Sequence, residues 1–312
     1  VGIDSRSRSG FGQQSAKCDA SPAAGIECRL AIVPRSAQPN NLDKKRLRAA
    51  FVKAFPDPSQ CDTSVILPVT DDGIRSLGFA NGGQITLGKR GPVLVMSSAC
   101  AYVFANKRWY DEWMRGVGLE HLIPASYSSA GEVDQFPVYV KNPEGAAGQK
   151  VWFAHSAQEL RNIISKIPVK PVIQQPLMGN VEHTLHFVAV RGVLLDHSCA
   201  AYDATSYCSS HSLSSQCHYV RGSHSGKSIL PVRGPCRPSW VEKTKQILLK
   251  ALYHGIGCVN FKSVSQHGPG DNIRMFEINA RPCASLLPTT FVQYLKMFLE
   301  AAKSNSVHDP SS

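Results

Sequence analysis

The order of segments in this chain predicts an α+β fold: two α+β lobes preceded by a small α/β lobe. Three observations predict it. Residues 136–167 read as strand, glycine turn, strand and helix. Residues 172–200 and 258–279 read as a series of apolar strands, with a helix beginning near 239 between them. Residues 29–96 alternate strand, helix and strand, the rhythm of a parallel-sheet unit.

The chain has 312 residues, enough for a sizeable core divided into two or three lobes. A charged fraction of 18% beside a hydrophobic fraction of 43% describes an ordinary globular chain rather than a disordered one. No stretch approaches the roughly 20 apolar residues that cross a bilayer, so no membrane is expected. The excess of 34 Lys and Arg over 23 Asp and Glu gives a formal charge of +11 and favours anionic ligands. No RNA-recognition signature, finger spacing or long basic run accompanies it, so no nucleic-acid partner is expected. The ten cysteines are spread widely and form no C-x-x-C pair, which reads as reduced core thiols in a cytoplasmic protein.

Residues 1–25, rich in Ser, Gly and Arg, read as a flexible arm. An α/β lobe follows over 26–100, with strands at 29–34, 65–69 and 93–96. Its helix at 43–55 carries the apolar stripe Leu47, Ala50, Phe51 and Ala54. A smaller lobe is expected over 101–170. It starts with a helix over 107–118, where Trp109, Trp113, Met114 and Val117 recur at helical spacing and Gly118 ends the run. Strands at 136–141 and 150–154 flank a turn at 143–148. Ser156-Ala157-Gln158-Glu159 then forms a capping box for a helix to about residue 167.

The larger lobe is expected over 171–312. Its strands are 172–175, 182–190, 193–200, 258–264 and 273–279, and a final helix covers about 290–302. Ser239-Trp240-Val241-Glu242 reads as a second capping box, with Gly255 ending its helix. Residues 204–241 hold no acid and four basic residues, Arg221, Lys227, Arg233 and Arg237. They read as a long basic loop with room for a short hairpin. Cys208-x-x-His211 with Cys217-His218 permits a zinc reading, although the spacing matches no common module.

The informative constellation lies near the C-terminus. Phe276-Glu277-Ile278-Asn279-Ala280-Arg281 puts Glu277 and Asn279 two apart, on one face of a strand. Two polar side chains on one face of an apolar strand are costly without a partner, which argues for a bound ion or ligand. Asn260, on the preceding strand, can lie alongside. Upstream, Lys141 ends a strand just before the turn, whose Gly145 and Gly148 allow backbone amides to approach phosphate oxygens.

Glu277-Ile278-Asn279-Ala280-Arg281 resembles the metal-binding strand of ATP-grasp enzymes, the superfamily of biotin carboxylase, carbamoyl-phosphate synthetase and D-alanine–D-alanine ligase. Other segments agree with it in order over about residues 100–300. Ala105-Asn106-Lys107 before a helix is similar to the first phosphate-contacting lysine, and Pro137-Val138-Tyr139-Val140-Lys141 to the second. Val172-Ile173-Gln174-Gln175-Pro176-Leu177 resembles the segment between the lobes that holds adenine, with Gln174, Gln175 and Leu177 at its contact positions. Glu182 stands where a glutamate reaches the ribose. Two positions depart from the pattern: Gln occupies a hinge position usually filled by Glu, and Asn260 stands where the upstream metal ligand is commonly acidic.

The resemblance implies two lobes clasping ATP and a carboxylate–amine ligase that forms an acyl phosphate and releases ADP and phosphate. It implies that Lys107, Lys141, Gly145, Gly148, Gln174, Gln175, Leu177 and Glu182 bind ATP. Glu277, Asn279 and Asn260 would hold Mg2+, with Mn2+ as the alternative ion, while Arg281 and Lys141 serve the transfer. The implied partners are small-molecule or peptide carboxylates and amines, with oligomerisation open. The rival class is an ATP-grasp-like protein that binds nucleotide or a partner without turnover.

Overall fold

The computed structural model describes residues 103–143, 151–177, 181–202, 232–263, 271–283 and 285–302 in full. It describes the backbone alone at 2–3, 65–68, 84–86, 92–95, 203, 206–207, 218–219 and 303–306. Gly2–Ile3 (β1), Val65–Pro68 (β2), Gln84–Thr86 (β3) and Pro92–Val95 (β4) make a sheet in the order β1-β2-β4-β3. β1, β2 and β4 run parallel, and β3 is antiparallel to β4. β1 is thus a paired strand within the stretch read as an arm. The rest of that arm, the strand expected at 29–34 and the helix expected at 43–55 lie outside the described residues.

The next unit is built round a second four-stranded sheet. Ser126–Tyr127 (β5), Val138–Lys141 (β6), Val151–Ala154 (β7) and Val172–Gln174 (β8) pair antiparallel in the order β5-β8-β6-β7. Alternation along β6 buries Val138 and Val140 with Leu160 of a helix, Ala157–Ile164, and turns Tyr139 and Lys141 to the opposite face. The expected capping box starts that helix: Glu159 N–H donates to Ser156 Oγ at 3.3 Å. Glu159's carboxylate accepts from His155 N–H at 2.8 Å, one residue earlier than a strict box.

Ahead of this sheet runs the first described helix, Lys107–Gly116 (α1), making Ala157–Ile164 α2. Asn106 caps α1 by accepting from the N–H groups of Arg108 and Trp109. The chain reverses just beyond it at Gly118, whose φ of 76° only glycine adopts cheaply.

The larger sheet has five antiparallel strands in the order β13-β10-β9-β14-β15. They are Val181–Val190 (β9), Val193–Asp203 (β10), Val232–Gly234 (β13), Gly255–Ser263 (β14) and Ile273–Asn279 (β15). Ser206–Tyr207 (β11) and His218–Tyr219 (β12) pair separately, which is the short hairpin allowed for in the basic loop. One face of the large sheet packs Leu185, Phe187, Val259, Phe261, Met275 and Ile278 against α1 and the helix Pro238–Lys250 (α3). The other face is apolar at one end only, where Val188, Val190 and Ile256 meet Tyr294 and Phe298 of the helix Pro288–Ser306 (α4). Further along that face stand the polar side chains of Thr184, His186, Asn260, Glu277 and Asn279.

Two local readings are corrected. α3 begins at Pro238, which suits a first helical position because its missing N–H leaves no donor orphaned there. Ser239 therefore does not cap it; its hydroxyl donates to Asp271 at 2.6 Å, and Glu242 pairs with Lys245. Gly255 does not end α3 either. The chain leaves that helix through Leu252, at a φ of 45°, and Gly255 opens β14.

The reading as reduced thiols is also overturned for the four cysteines among the described residues. Cys199 is bonded to Cys236, and Cys258 to Cys283, with Cα atoms 5.2 Å and 6.4 Å apart. Sequence separations of 37 and 25 residues hide these contacts, which arise only when strands align. The cytoplasmic expectation loses the support it drew from reduced thiols. Among the described residues no helix is long and apolar enough to cross a membrane.

Gly257 faces Phe187 across the core, where an added Cβ would meet Phe187 Cζ at 2.7 Å and the Asn279 carbonyl oxygen at 2.8 Å. Gly257→Ala is expected to cost about 1–3 kcal/mol by overpacking, read as a lower denaturation midpoint in urea. An unchanged midpoint would contradict this packing. Opening the Cys258–Cys283 bond by a Cys283→Ala exchange is expected to cost about 2–4 kcal/mol. A variant as stable as the parent in the absence of reductant would contradict the bond.

Candidate functional site

The polar part of the large sheet is organised in cross-strand rows. Thr184, Asn260 and Glu277 stand opposite one another on β9, β14 and β15, and the next row is His186, Cys258 and Asn279. A β-bulge between Asn260 and Phe261 sets this arrangement. Ile273 and Met275 face the core, and strict alternation would send Glu277 and Asn279 there too. The bulge at Phe276 reverses the phase, so Ile278 enters the core while Glu277 and Asn279 share the polar face.

Glu277 is held from two sides. Its Oε2 accepts from Asn260 Nδ2 at 3.1 Å, and its Oε1 lies 3.9 Å from Lys107 Nζ. Asn260 Oδ1 accepts from the Thr184 hydroxyl at 2.8 Å. In this arrangement Asn260 steadies the carboxylate, and acting as a cation ligand would require its amide to turn over. Asn279 gives its Nδ2 to Cys258 Sγ at 3.8 Å, which leaves an oxygen for a cation. Glu277 and Asn279 thus fit a magnesium site of one carboxylate and one amide oxygen, completed by phosphate oxygens and water.

Three lysines approach this face. Lys107 comes from the first turn of α1, Lys141 from the end of β6 and the buried Lys262 from β14. Desolvation pushes the Lys141 ammonium down to about 8, and Lys107 and Lys262 add repulsion against the pull of Glu277 and Asp111. Lys262 is also pushed down by burial, against the attraction of Glu182. Lys141 lies 5.8 Å from the ring centres of Tyr139 and Phe276, so aromatic faces line its other sides.

The segment expected to hold adenine divides. Gln174 is buried; its Oε1 accepts from Lys141 at 2.7 Å and its Nε2 donates to Asp111 at 3.2 Å. Gln175 turns its side chain to Tyr127 Oη and the Gln135 carbonyl, and its N–H donates to the Ala125 carbonyl. Leu177 accepts from Lys262 at its carbonyl oxygen, at 3.4 Å. Glu182 is fully buried and interacts with Lys262. Arg281 is half-buried two residues beyond Asn279.

Gly145 and Gly148 lie outside the described residues, as do Cys208, His211, Cys217 and the side chain of His218. His186, Cys258 and Cys283 bring metal-ligand atoms within 4.8 Å of one another, but the two sulfurs are bonded to each other. Sequence reasoning missed Asp111, Thr184 and the approach of Lys262. The available signals were an acid one helical turn after Lys107 and the matching period of β9 and β14.

No protein-family model matches the chain, and no curated protein matches it by sequence. Solved structures do resemble it. D-alanine–D-alanine ligase from Bacillus anthracis superposes with a TM-score of 0.52 at 16% identity, over 96% of this chain and 95% of that one. N5-carboxyaminoimidazole ribonucleotide synthetase from Thermotoga maritima gives 0.55 at 14% identity, over 96% and 75%. Biotin carboxylase from Campylobacter jejuni gives 0.53 at 11% identity, over 86% and 60%. The chain thus spans 60% of that carboxylase, and 65% of the L-amino acid ligase from Bacillus licheniformis, which it also resembles. Two lobes of antiparallel sheet and helix, with Glu277 and Asn279 on one face of β15, give this chain the ATP-grasp fold.

Proposed function

We propose that this protein is an ATP-dependent ligase that activates a carboxylate as an acyl phosphate for attack by an amine, releasing ADP and phosphate. The observation that carries this reading is the approach of Lys107, Lys141 and Lys262 to the face that presents Glu277 and Asn279. Cations gathered at one face, with Lys107 and Lys262 repelling the Lys141 ammonium, favour a polyanion, and a triphosphate supplies that charge.

On this reading Lys107 and Lys141 contact the phosphates, and the turn holding Gly145 and Gly148 closes over them. Gln174, Gln175 and Leu177 border the adenine, and Glu182 reaches the ribose. Glu277 and Asn279 hold the magnesium, with Asn260 orienting Glu277. Bound there, the ion neutralises phosphate charge and aligns the triphosphate. Arg281 steadies the transferring phosphoryl group. The substrates are small-molecule or peptide carboxylates and amines.

The direct test is magnesium-dependent ADP release, screened over pairs of carboxylates and amines. Glu277→Ala is expected to lower turnover at least 100-fold, about 3 kcal/mol of transition-state stabilisation. Full activity in that variant would sink the assignment. ADP release that no pair stimulates would favour a nucleotide-binding protein without ligase turnover.

The protonated form of Lys141 attracts phosphate, and bound phosphate raises its pKa again. ATP affinity is therefore expected to be flat below pH 8 and to fall about tenfold per pH unit above it, until the bound-state pKa is reached. Lys141→Arg should remove that fall. Equal pH dependence in both proteins would contradict the role given to Lys141.

A further inference from the structure

We propose that Asp111 is a positioning residue for the nucleotide site, acting on Lys141 through the side-chain amide of Gln174. The proposal rests on the ATP-binding reading above and adds to it a residue that touches no substrate.

The geometry is a continuous chain. Lys141 Nζ donates to Gln174 Oε1 at 2.7 Å, and Gln174 Nε2 donates to Asp111 Oδ1 at 3.2 Å. An ammonium can only donate and a carboxylate can only accept, so the amide between them has one allowed orientation. Asp111 Oδ2 accepts from the Ser126 hydroxyl and from Arg115 Nη2, which lies 3.2 Å away. Arg115 also donates to the Ser126 carbonyl oxygen and hydroxyl. Both carboxylate oxygens are thus engaged on a residue that is itself buried.

Asp111 is anchored as well as satisfied. It lies one helical turn beyond Lys107 on α1, so both residues share the face of that helix turned to the site. The helix cannot roll easily, because Tyr110 and Met114 are buried in the large core and Tyr110 Oη donates to the Met275 carbonyl at 3.3 Å. Met275 belongs to β15, the strand that carries Glu277. One rigid helix therefore sets Lys107 against Glu277 directly and Lys141 through Gln174.

The groups that face Lys141 are Lys107 and Asp111 from α1, Glu277 from β15 and Lys262 from β14. Two repel it and two attract it. Losing the carboxylate at 111 removes one of the two attractions and lets the Gln174 amide turn, so that a donor faces the ammonium. Lys141 would then leave its place beside Phe276 and Tyr139.

The experiment is a double-mutant cycle in Mg-ATP affinity, measured by calorimetry on the full chain. Asp111→Asn keeps the shape of the side chain and should weaken binding about tenfold. Gln174→Met, which removes the bridge and keeps its length, should weaken it by a similar factor. In a Lys141→Met background, Asp111→Asn should cause no further loss. A tenfold loss in both backgrounds would mean that Asp111 only supports the helix, and no loss in the parent would also overturn the proposal. Should the parent bind no Mg-ATP, the nucleotide reading fails by itself. The hydrogen-bond chain is then judged from the Gln174 side-chain amide resonances, which must shift in both Asp111→Asn and Lys141→Met. Resonances indifferent to either exchange would refute it.

Discussion

The site depends on a single phase reversal in β15. Ile273 and Met275 face the core, and without the bulge at Phe276 the same period would bury Glu277 and Asn279 among Phe261, Val259 and Leu185. An ionised carboxylate in that apolar layer would cost several kcal/mol unless paired. The extra residue turns both side chains to the opposite face, where Asn260, Thr184 and Lys107 meet them. Core packing and site chemistry are thus compatible on one short strand.

The second constraint is that cations arrive from three different elements. Lys107 comes with α1, Lys141 with the small sheet and Lys262 with the large one. Lys107 and Lys262 repel the Lys141 ammonium, and a bound anion would relieve that repulsion. α1 ties the arrangement together: its buried side chains belong to the large core, while Asp111 reaches the small sheet through Gln174. The backbone N–H of Lys107 donates to the Pro143 carbonyl just past β6, a further link across the same junction.

Much of the fold was legible because its signals are local. The strand at 273–279 agrees with β15 at both ends, and the helix expected at 290–302 falls within α4. Glu277 and Asn279 were legible together because a spacing of two puts them on one face, although Met275 shows that the face is not continuous. What stayed hidden depends on contacts between distant segments. The bonds of Cys199 with Cys236 and Cys258 with Cys283 appear only when strands align. Nothing local sets Asp111 apart from a surface acid on an amphipathic helix; its role depends on Gln174, 63 residues away. Gln175 shares the expected role of Gln174, yet it lies just past the end of β8 and its side chain turns to Tyr127.

The central claim is that Lys107, Lys141, Glu277 and Asn279 form a site for a magnesium–triphosphate. It is tested most directly by calorimetric titration of the full chain with ATP, in the presence of magnesium and again with the ion removed by a chelator. The account predicts saturable binding at one site that weakens at least tenfold without magnesium, because phosphate oxygens must complete the coordination that Glu277 and Asn279 begin. Absence of saturable binding under both conditions would contradict it, and would leave the chain sharing a fold with these ligases and nothing of their nucleotide chemistry.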